Sequence, residues 1–303
     1  MGHRVVHGGA RFRDPVLIDE RVRGEIEALT PLAPLHNAPA LEAIEQAQRT
    51  LPSVPHVAVF DTAFHARLPP AAATYAVPLR WAEEWGVRRY GFHGLSVRWA
   101  AERVRARRLV VCHLGGGCSV TAVRDGDSID TTMGFSPLEG VPMTTRSGSL
   151  DPGAILYLLR ERLLSLEELD QALEHHAGLK GLSGGSGDIR ELEAAEAAGD
   201  KRAILALAVY VHRIAAAVAS MTASLGGLDA LVFTAGVGEH SSPIRRRVCE
   251  RLGFLGLQLD HDANAAALAD ADIGAAGSSV RIVVVAARED VVIARDVRAL
   301  LTG

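Results

Sequence analysis

Four short, nearly unbroken apolar runs punctuate the chain, and each gives way to glycine or a polar residue. His56-Val57-Ala58-Val59-Phe60 leads into Asp61, and Leu109-Val110-Val111-Cys112-His113 into Gly115-Gly116-Gly117. Ala230-Leu231-Val232-Phe233-Thr234 leads into Gly236-Val237-Gly238, and Arg281-Ile282-Val283-Val284-Val285 leads towards Glu289. Such β-branched runs predict buried strands that hand over to flexible loops at their C-terminal ends. Ligand sites of α/β folds favour that location. Helical patterns lie between them. Ser165-Leu166-Glu167-Glu168 has the form of a capping box, with Ser165 at the N-cap and Glu168 three residues on. Glu191 to Ala198 and Ala203 to Leu225 are rich in alanine, and Val292, Val297, Leu300 and Leu301 recur at helical spacing. Leu68 to Ala76 reads as a surface loop. The pattern predicts an α/β protein with mixed sheets and two lobes.

Composition narrows the class. At 303 residues the chain is long enough for two domains, and 48% hydrophobic with 22% charged residues is a globular balance. A net charge of −4 gives no electrostatic case for nucleic acid or an anionic membrane surface as partner. Cys112, Cys118 and Cys249 show neither metal-ligand spacing nor a paired framework, so a reducing cytoplasm is expected. No apolar segment follows the N-terminus to make a signal peptide. The longest apolar stretch, Ala203 to Leu225, is interrupted by His212 and Arg213 and reads as a buried helix rather than a membrane span.

Three glycine-rich segments could each cradle phosphate with converging backbone N–H groups, or could simply be tight turns. They are His113 to Ser119, Leu182 to Arg190 and Thr234 to His240. None is a P-loop, because no Gly-Lys-Ser/Thr ends it. The charged residues beside the strands have two readings as well. Asp61 is either a turn or cap residue or a catalytic carboxylate. His93, flanked by Gly91 and Gly94, either reaches a cleft or is solvated, and Arg146 is either functional or a surface charge paired with Asp151. Arg4, on a short apolar strand, needs an anion or solvent. Glu289 and Asp290 suit the first turn of the last helix. As a set, two arginines and a histidine match the charge on a phosphoryl group in flight, with carboxylates holding Mg²⁺ through water.

The motifs around these residues resemble the acetate kinase family along essentially the whole chain. Gly2-His3-Arg4-Val5-Val6-His7-Gly8-Gly9, Phe60-Asp61-Thr62-Ala63-Phe64-His65 and Tyr90-Gly91-Phe92-His93-Gly94 carry the resemblance. So do Asp130-Thr131-Thr132-Met133-Gly134-Phe135-Ser136-Pro137-Leu138-Glu139-Gly140 and Thr145-Arg146-Ser147-Gly148. The resemblance implies a two-lobed, actin-like, ribonuclease H-like fold of the acetate and sugar kinase, heat-shock ATPase and actin superfamily. Residues 1–63 with 288–303 would belong to the first lobe, and 64–287 to the second, nucleotide-binding lobe. It implies a homodimer that reversibly transfers phosphate between ATP and acetate or propionate with Mg²⁺ or Mn²⁺.

By motif position the resemblance makes Asp61, His93 and Arg146 catalytic, Arg4 a substrate-binding residue and Glu289 a metal residue. His113, Leu114, Gly115, Gly116 and Gly117 would face the ATP phosphates. Asp188, Ile189 and Arg190, with Gly236, Val237, Gly238, Glu239 and His240, would frame the adenosine. Departures from the family pattern accompany the match. Family members open with a strand and an Asn-x-Gly-Ser-Ser-Ser-Lys-type loop, so the first lobe is expected to be incomplete at its start. Gly116 and His240 each stand where asparagine is usual, His36-Asn37-Ala38-Pro39-Ala40 is a weakened His-Asn-Pro stretch, and Ala286 to Asp290 keeps only the acidic end of its motif. The alternative reading is a catalytically impaired, truncated paralogue that binds nucleotide or a full-length subunit.

Overall fold

The computed structural model describes residues 1–303. The chain opens with β1 (Gly2–Val5), β2 (Val16–Leu17), α1 (Glu20–Ala28), α2 (Pro34–Thr50) and β3 (Val57–Phe60). These strands form a small sheet in the order β1-β3-β2, with β1 parallel and β2 antiparallel to β3. All four residues of β3 are buried, as its apolar run requires. Asn37 on α2 clamps the exit of β1, accepting from His7 N at 3.0 Å and donating to His7 O at 3.1 Å.

Three helices follow: α3 (Pro70–Ala73), α4 (Leu79–Trp85) and α5 (Gly94–Val104). The expected loop over 68–76 therefore contains a helical turn, started by Pro70, whose fixed φ suits a first helical position. Next come β4 (Arg108–Leu114), β5 (Cys118–Arg124) and β6 (Asp127–Thr131). The last two strands were not among the expected elements. Their signal is present all the same: Asp125 and Gly126 both have positive φ in the tight turn between them, the Asp-Gly hairpin chemistry.

A helical stretch comprises α6 (Pro152–Arg160), α7 (Leu166–Gln171), α8 (Gly178–Ser183), α9 (Ile189–Ala197) and α10 (Lys201–Leu225). The capping box at Ser165 and Glu168 is formed in both directions. The 25-residue α10 is long and apolar enough to cross a membrane, yet it lies against the sheet with Leu207, Tyr210, Ile214, Val218 and Met221 buried. The chain ends with β7 (Ala230–Thr234), α11 (Ala235–His240), α12 (Ser242–Arg251), α13 (His261–Ala266), β8 (Ala271–Asp272), β9 (Arg281–Val284) and α14 (Glu289–Thr302). The segment from Thr234 to His240 is thus not a loop: β7 passes directly into helix α11.

The second sheet has the order β6-β5-β4-β7-β9-β8, with β4, β7 and β9 parallel at its centre. Alternate residues of these strands feed two cores. Val110, Cys112, Leu231, Phe233, Ile282 and Val284 join the large core under α10 and α12. Leu109, Val111, Ala230, Val232 and Val283 pack against Val97, Ala100 and Val104 of α5. Being covered on both faces is why these strands read as continuous apolar runs.

The junction between the two sheets is tight at Gly94. Its N–H donates to Asp61 O at 3.0 Å, and a Cβ there would lie far inside contact distance of that same oxygen. Gly94→Ala is expected to cost about 3 kcal/mol, because neither backbone can yield without moving a strand end. Denaturant unfolding of the variant measures this, and a change below about 1 kcal/mol would mean that the junction is compliant.

Candidate active site

Parallel pairing of β1 with β3 brings Arg4 and Asp61 to the same end of the small sheet. Arg4 closes a two-pronged hydrogen bond on Asp61, from Nε to Oδ1 at 2.9 Å and from Nη2 to Oδ2 at 2.6 Å. Glu289, first residue of α14, places Oε2 3.4 Å from Arg4 Nη1. Asp61 thus lies in the turn after β3, but its carboxylate does not cap that turn: it is given over to Arg4. One guanidinium faces two carboxylates, so the group retains net negative charge and has room for a cation. Burial pushes the Glu289 carboxyl up, while Arg4 pulls it back down. No set of three metal-ligating side chains converges anywhere in the chain. Two carboxylates suit a hydrated ion such as Mg²⁺, which keeps several waters and takes further oxygens from phosphates.

His93 sits at the N-cap of α5 with φ 59°, a left-handed conformation costly for a non-glycine residue. His113, near the end of β4, stacks on it with ring centroids 4.0 Å apart. Each ring is held from behind by a buried serine, His93 Nδ1 at 3.0 Å from Ser119 Oγ and His113 Nδ1 at 2.9 Å from Ser96 Oγ. Burial first, then His113, Arg4 and Arg146, pulls His93 well below the usual histidine range. Burial and Arg4 bring His113 down to about 3.

Arg146 approaches from the opposite wall. Its Nη1 donates to Pro137 O at 2.8 Å, and its Nε is 4.0 Å from Glu174 Oε2. Asp151, the partner considered from the sequence, instead caps α6 by accepting from Gly153 N. A Cβ on Gly117 would lie 3.0 Å from Arg146 Nη2 and 3.1 Å from His93 Nε2, so glycine is what lets the loop after β4 pass between them. The Asp130–Gly140 segment, which carries Pro137, is itself anchored. Arg89 donates to the Thr132 and Met133 carbonyls at 3.0 and 3.1 Å and pairs with Glu139 at 2.9 Å, and Tyr75 also donates to Glu139. Sequence reasoning found this segment without finding its task, which is to support Arg146.

Arg4, Asp61, His93, His113, Arg146 and Glu289 line one cavity of about 610 Å³, joined there by Gly115, Gly116, Gly117 and Gly236. A second cavity of about 530 Å³ shares Gly115, Gly116 and Gly236 and is lined by Asp188, Ile189, Arg190, Val237 and His240. Three expected contact residues lie elsewhere. Leu114 is fully buried in the core, and Gly238 is buried beneath α11. Glu239 belongs to the first cavity and accepts from Ala287 N at 3.0 Å, bracing the approach to Glu289. Asp188 caps α9 and pairs with Arg190 at 2.6 Å, keeping both at the cavity rim.

A family model described as the acetokinase family matches residues 1–295. The acetate kinase of Nostoc punctiforme is 52% identical over 303 residues, covering 97% of this chain and 75% of that protein. That of Gloeobacter violaceus is 50% identical, covering 98% of this chain and 75% of its own length. Among solved structures, Porphyromonas gingivalis acetate kinase superposes with a TM-score of 0.93 at 37% identity, covering 99% of this chain and 78% of that one. A propionate kinase from Francisella tularensis gives 0.92 at 41% identity, covering 97% and 77%. The fold is that of these kinases, the actin-like α/β architecture that the motifs implied.

Proposed function

From the premise that the chain belongs to the acetokinase family and is an acetate kinase-like phosphotransferase, we propose that it moves phosphate reversibly between ATP and acetate or propionate. The observation that carries this reading is the convergence of Arg4, Asp61, His93, Arg146 and Glu289 on one cavity. A carboxylate oxygen attacks the γ-phosphorus in line, the bond to the β-phosphate oxygen breaks, and acyl phosphate and ADP result. No proton needs to move. Catalysis is then a matter of position and charge.

Arg4 meets the carboxylate, while Val6 and Phe92, in the same cavity, give its alkyl group an apolar wall. His93 and Arg146 grip the phosphoryl oxygens, and the loop at Gly115 to Gly117 cradles the remaining phosphates. The second cavity receives the adenosine. Mg²⁺ or Mn²⁺, when bound, would neutralise phosphate charge, with Glu289 and Asp61 holding its water shell. The test is trapping of acyl phosphate as hydroxamate from acetate, ATP and Mg²⁺ by the purified 303-residue chain. No trapped product would end this reading for the chain as it stands.

We place the enzyme in the cytoplasm, since its three thiols are all free and buried. A second copy completes it. Helix α6 has no buried residue although it reads Ala154-Ile155-Leu156-Tyr157-Leu158-Leu159. Leu156, Tyr157, Leu163 and Leu166 are 47–66% exposed, an apolar face that a homodimer would cover. Tyr157→Asp is expected to convert a dimer to a monomer in sedimentation velocity. A monomeric parent would end the dimer reading, and a variant that stays dimeric would place the interface elsewhere.

A further inference from the structure

Three histidines in and beneath the cleft each rest Nδ1 against one serine hydroxyl. The pairs are His65 with Ser128 at 2.8 Å, His93 with Ser119 at 3.0 Å and His113 with Ser96 at 2.9 Å. His65 fixes how such a pair is polarised. Its Nε2 lies 3.0 Å from the Phe92 carbonyl, which can only accept, so Nε2 carries the proton. Its Nδ1 is then a bare lone pair, and Ser128 donates to it.

The same logic applies at the other two pairs, where Nε2 looks into the cavity instead of at a carbonyl. Ser96 and Ser119 are fully buried, and neither hydroxyl has any other hydrogen-bond partner. If Nδ1 were protonated, it would donate to the serine oxygen and leave a buried hydroxyl proton with no acceptor, an arrangement that proteins avoid. The stacking of His93 on His113 at 4.0 Å bears on charge rather than tautomer: two imidazolium rings face to face would repel, which favours neutral rings.

We propose that Ser119 and Ser96 are positioning residues that hold His93 and His113 as neutral imidazoles protonated on Nε2. The purpose of the arrangement rests on the phosphoryl-transfer reading: the cavity receives two fixed N–H donors. The opposite tautomer would aim a lone pair at the same place and repel an anionic oxygen. Positive charge in the cleft then comes from Arg4 and Arg146, and the histidines supply direction.

The test is long-range ¹H–¹⁵N correlation spectroscopy at pH 7 on ¹⁵N-histidine-labelled protein, assigned with His93→Gln and His113→Gln. Both rings are expected to show a bare Nδ1 and a protonated Nε2. In Ser119→Ala, His93 should mix tautomers, and kcat should fall on the order of ten-fold, as for other partners that orient a reactive imidazole. KM for ATP should stay within about two-fold, since ground-state binding is not what the serine sets. Ser119→Thr keeps the hydroxyl and is expected to restore the wild-type ring pattern. A protonated Nδ1 or a doubly protonated ring in the wild type would overturn the proposal, even if the variants fail to fold. An unchanged His93 pattern in Ser119→Ala would overturn it too. The spectra report the tautomer whether or not the chain turns over, so failure of the phosphotransfer reading would show separately, as absent acyl phosphate.

Discussion

Arg146→Ala is expected to lower kcat about a thousand-fold while leaving KM for ATP within about three-fold. The Arg146 side chain is only 15% exposed, and its one carboxylate neighbour, Glu174, stands 4.0 Å away. Burial pulls it below the usual arginine range, and Glu174 only partly compensates. Arg245 shows what a satisfied buried arginine looks like here: it is 1% exposed and donates to Asn264 Oδ1 and to the carbonyls of Gly238, Glu239 and Asn264. Arg146 has a single such bond, to Pro137 O. Its free donors face the cavity, so it is a cation kept under-paired for an anion that arrives with substrate. Removing it should therefore leave the melting temperature unchanged or higher. Lysine should not rescue, because it cannot hold Pro137 O and a phosphoryl oxygen with one planar fork. Steady-state kinetics and thermal unfolding of the two variants measure this. An alanine variant within ten-fold of the parent would remove Arg146 from the transition state.

Much of this was legible in the chain. The central strands were, because burial on both faces leaves an unbroken apolar run, and so was the cap at Ser165, where the chemistry is local. The hairpin of β5 and β6 is harder to see although Asp125-Gly126 marks its turn, since its strands set serine, threonine and aspartate among their apolar residues. The segment after β7 misled for a different reason. Gly236 and Gly238 read as loop residues, but α11 forms because Arg245, ten residues beyond its start, collects the carbonyls of Gly238 and Glu239. No local pattern announces that support. The site divides in the same way. Residue types and motif order pointed to Arg4, Asp61, His93, Arg146 and Glu289, whereas Ser96, Ser119, Arg89, Tyr75 and Glu139 act through contacts 17 to 64 residues distant in sequence. A serine in a strand or helix looks the same whether or not an imidazole leans on it.

Asp61→Asn is expected to lower kcat by about three orders of magnitude, close to 4 kcal/mol of transition-state stabilisation. The substitution keeps the shape of the side chain and changes two things. It halves the negative charge that Asp61 and Glu289 offer to a hydrated cation. It also turns one of the two oxygens gripped by Arg4 into an N–H₂ group, which meets Arg4 donor to donor. Arg4 then loses its bidentate brace and, being 40% exposed, swings towards Glu289 or solvent. Arg4→Ala alone should raise KM for the carboxylate on the order of a hundred-fold, the worth of a charge-assisted two-pronged contact. The two effects should not add. Once Asp61 no longer aims the guanidinium, deleting it removes little more, so the double variant should lie within about three-fold of Asp61→Asn, a coupling of roughly 2–3 kcal/mol. Additive losses would mean that Arg4 finds the substrate without Asp61, and that the carboxylate acts on the cation alone. The cycle thus separates the two tasks that one buried oxygen pair performs, orienting a cationic fork and holding a hydrated ion, which the residue types alone cannot tell apart.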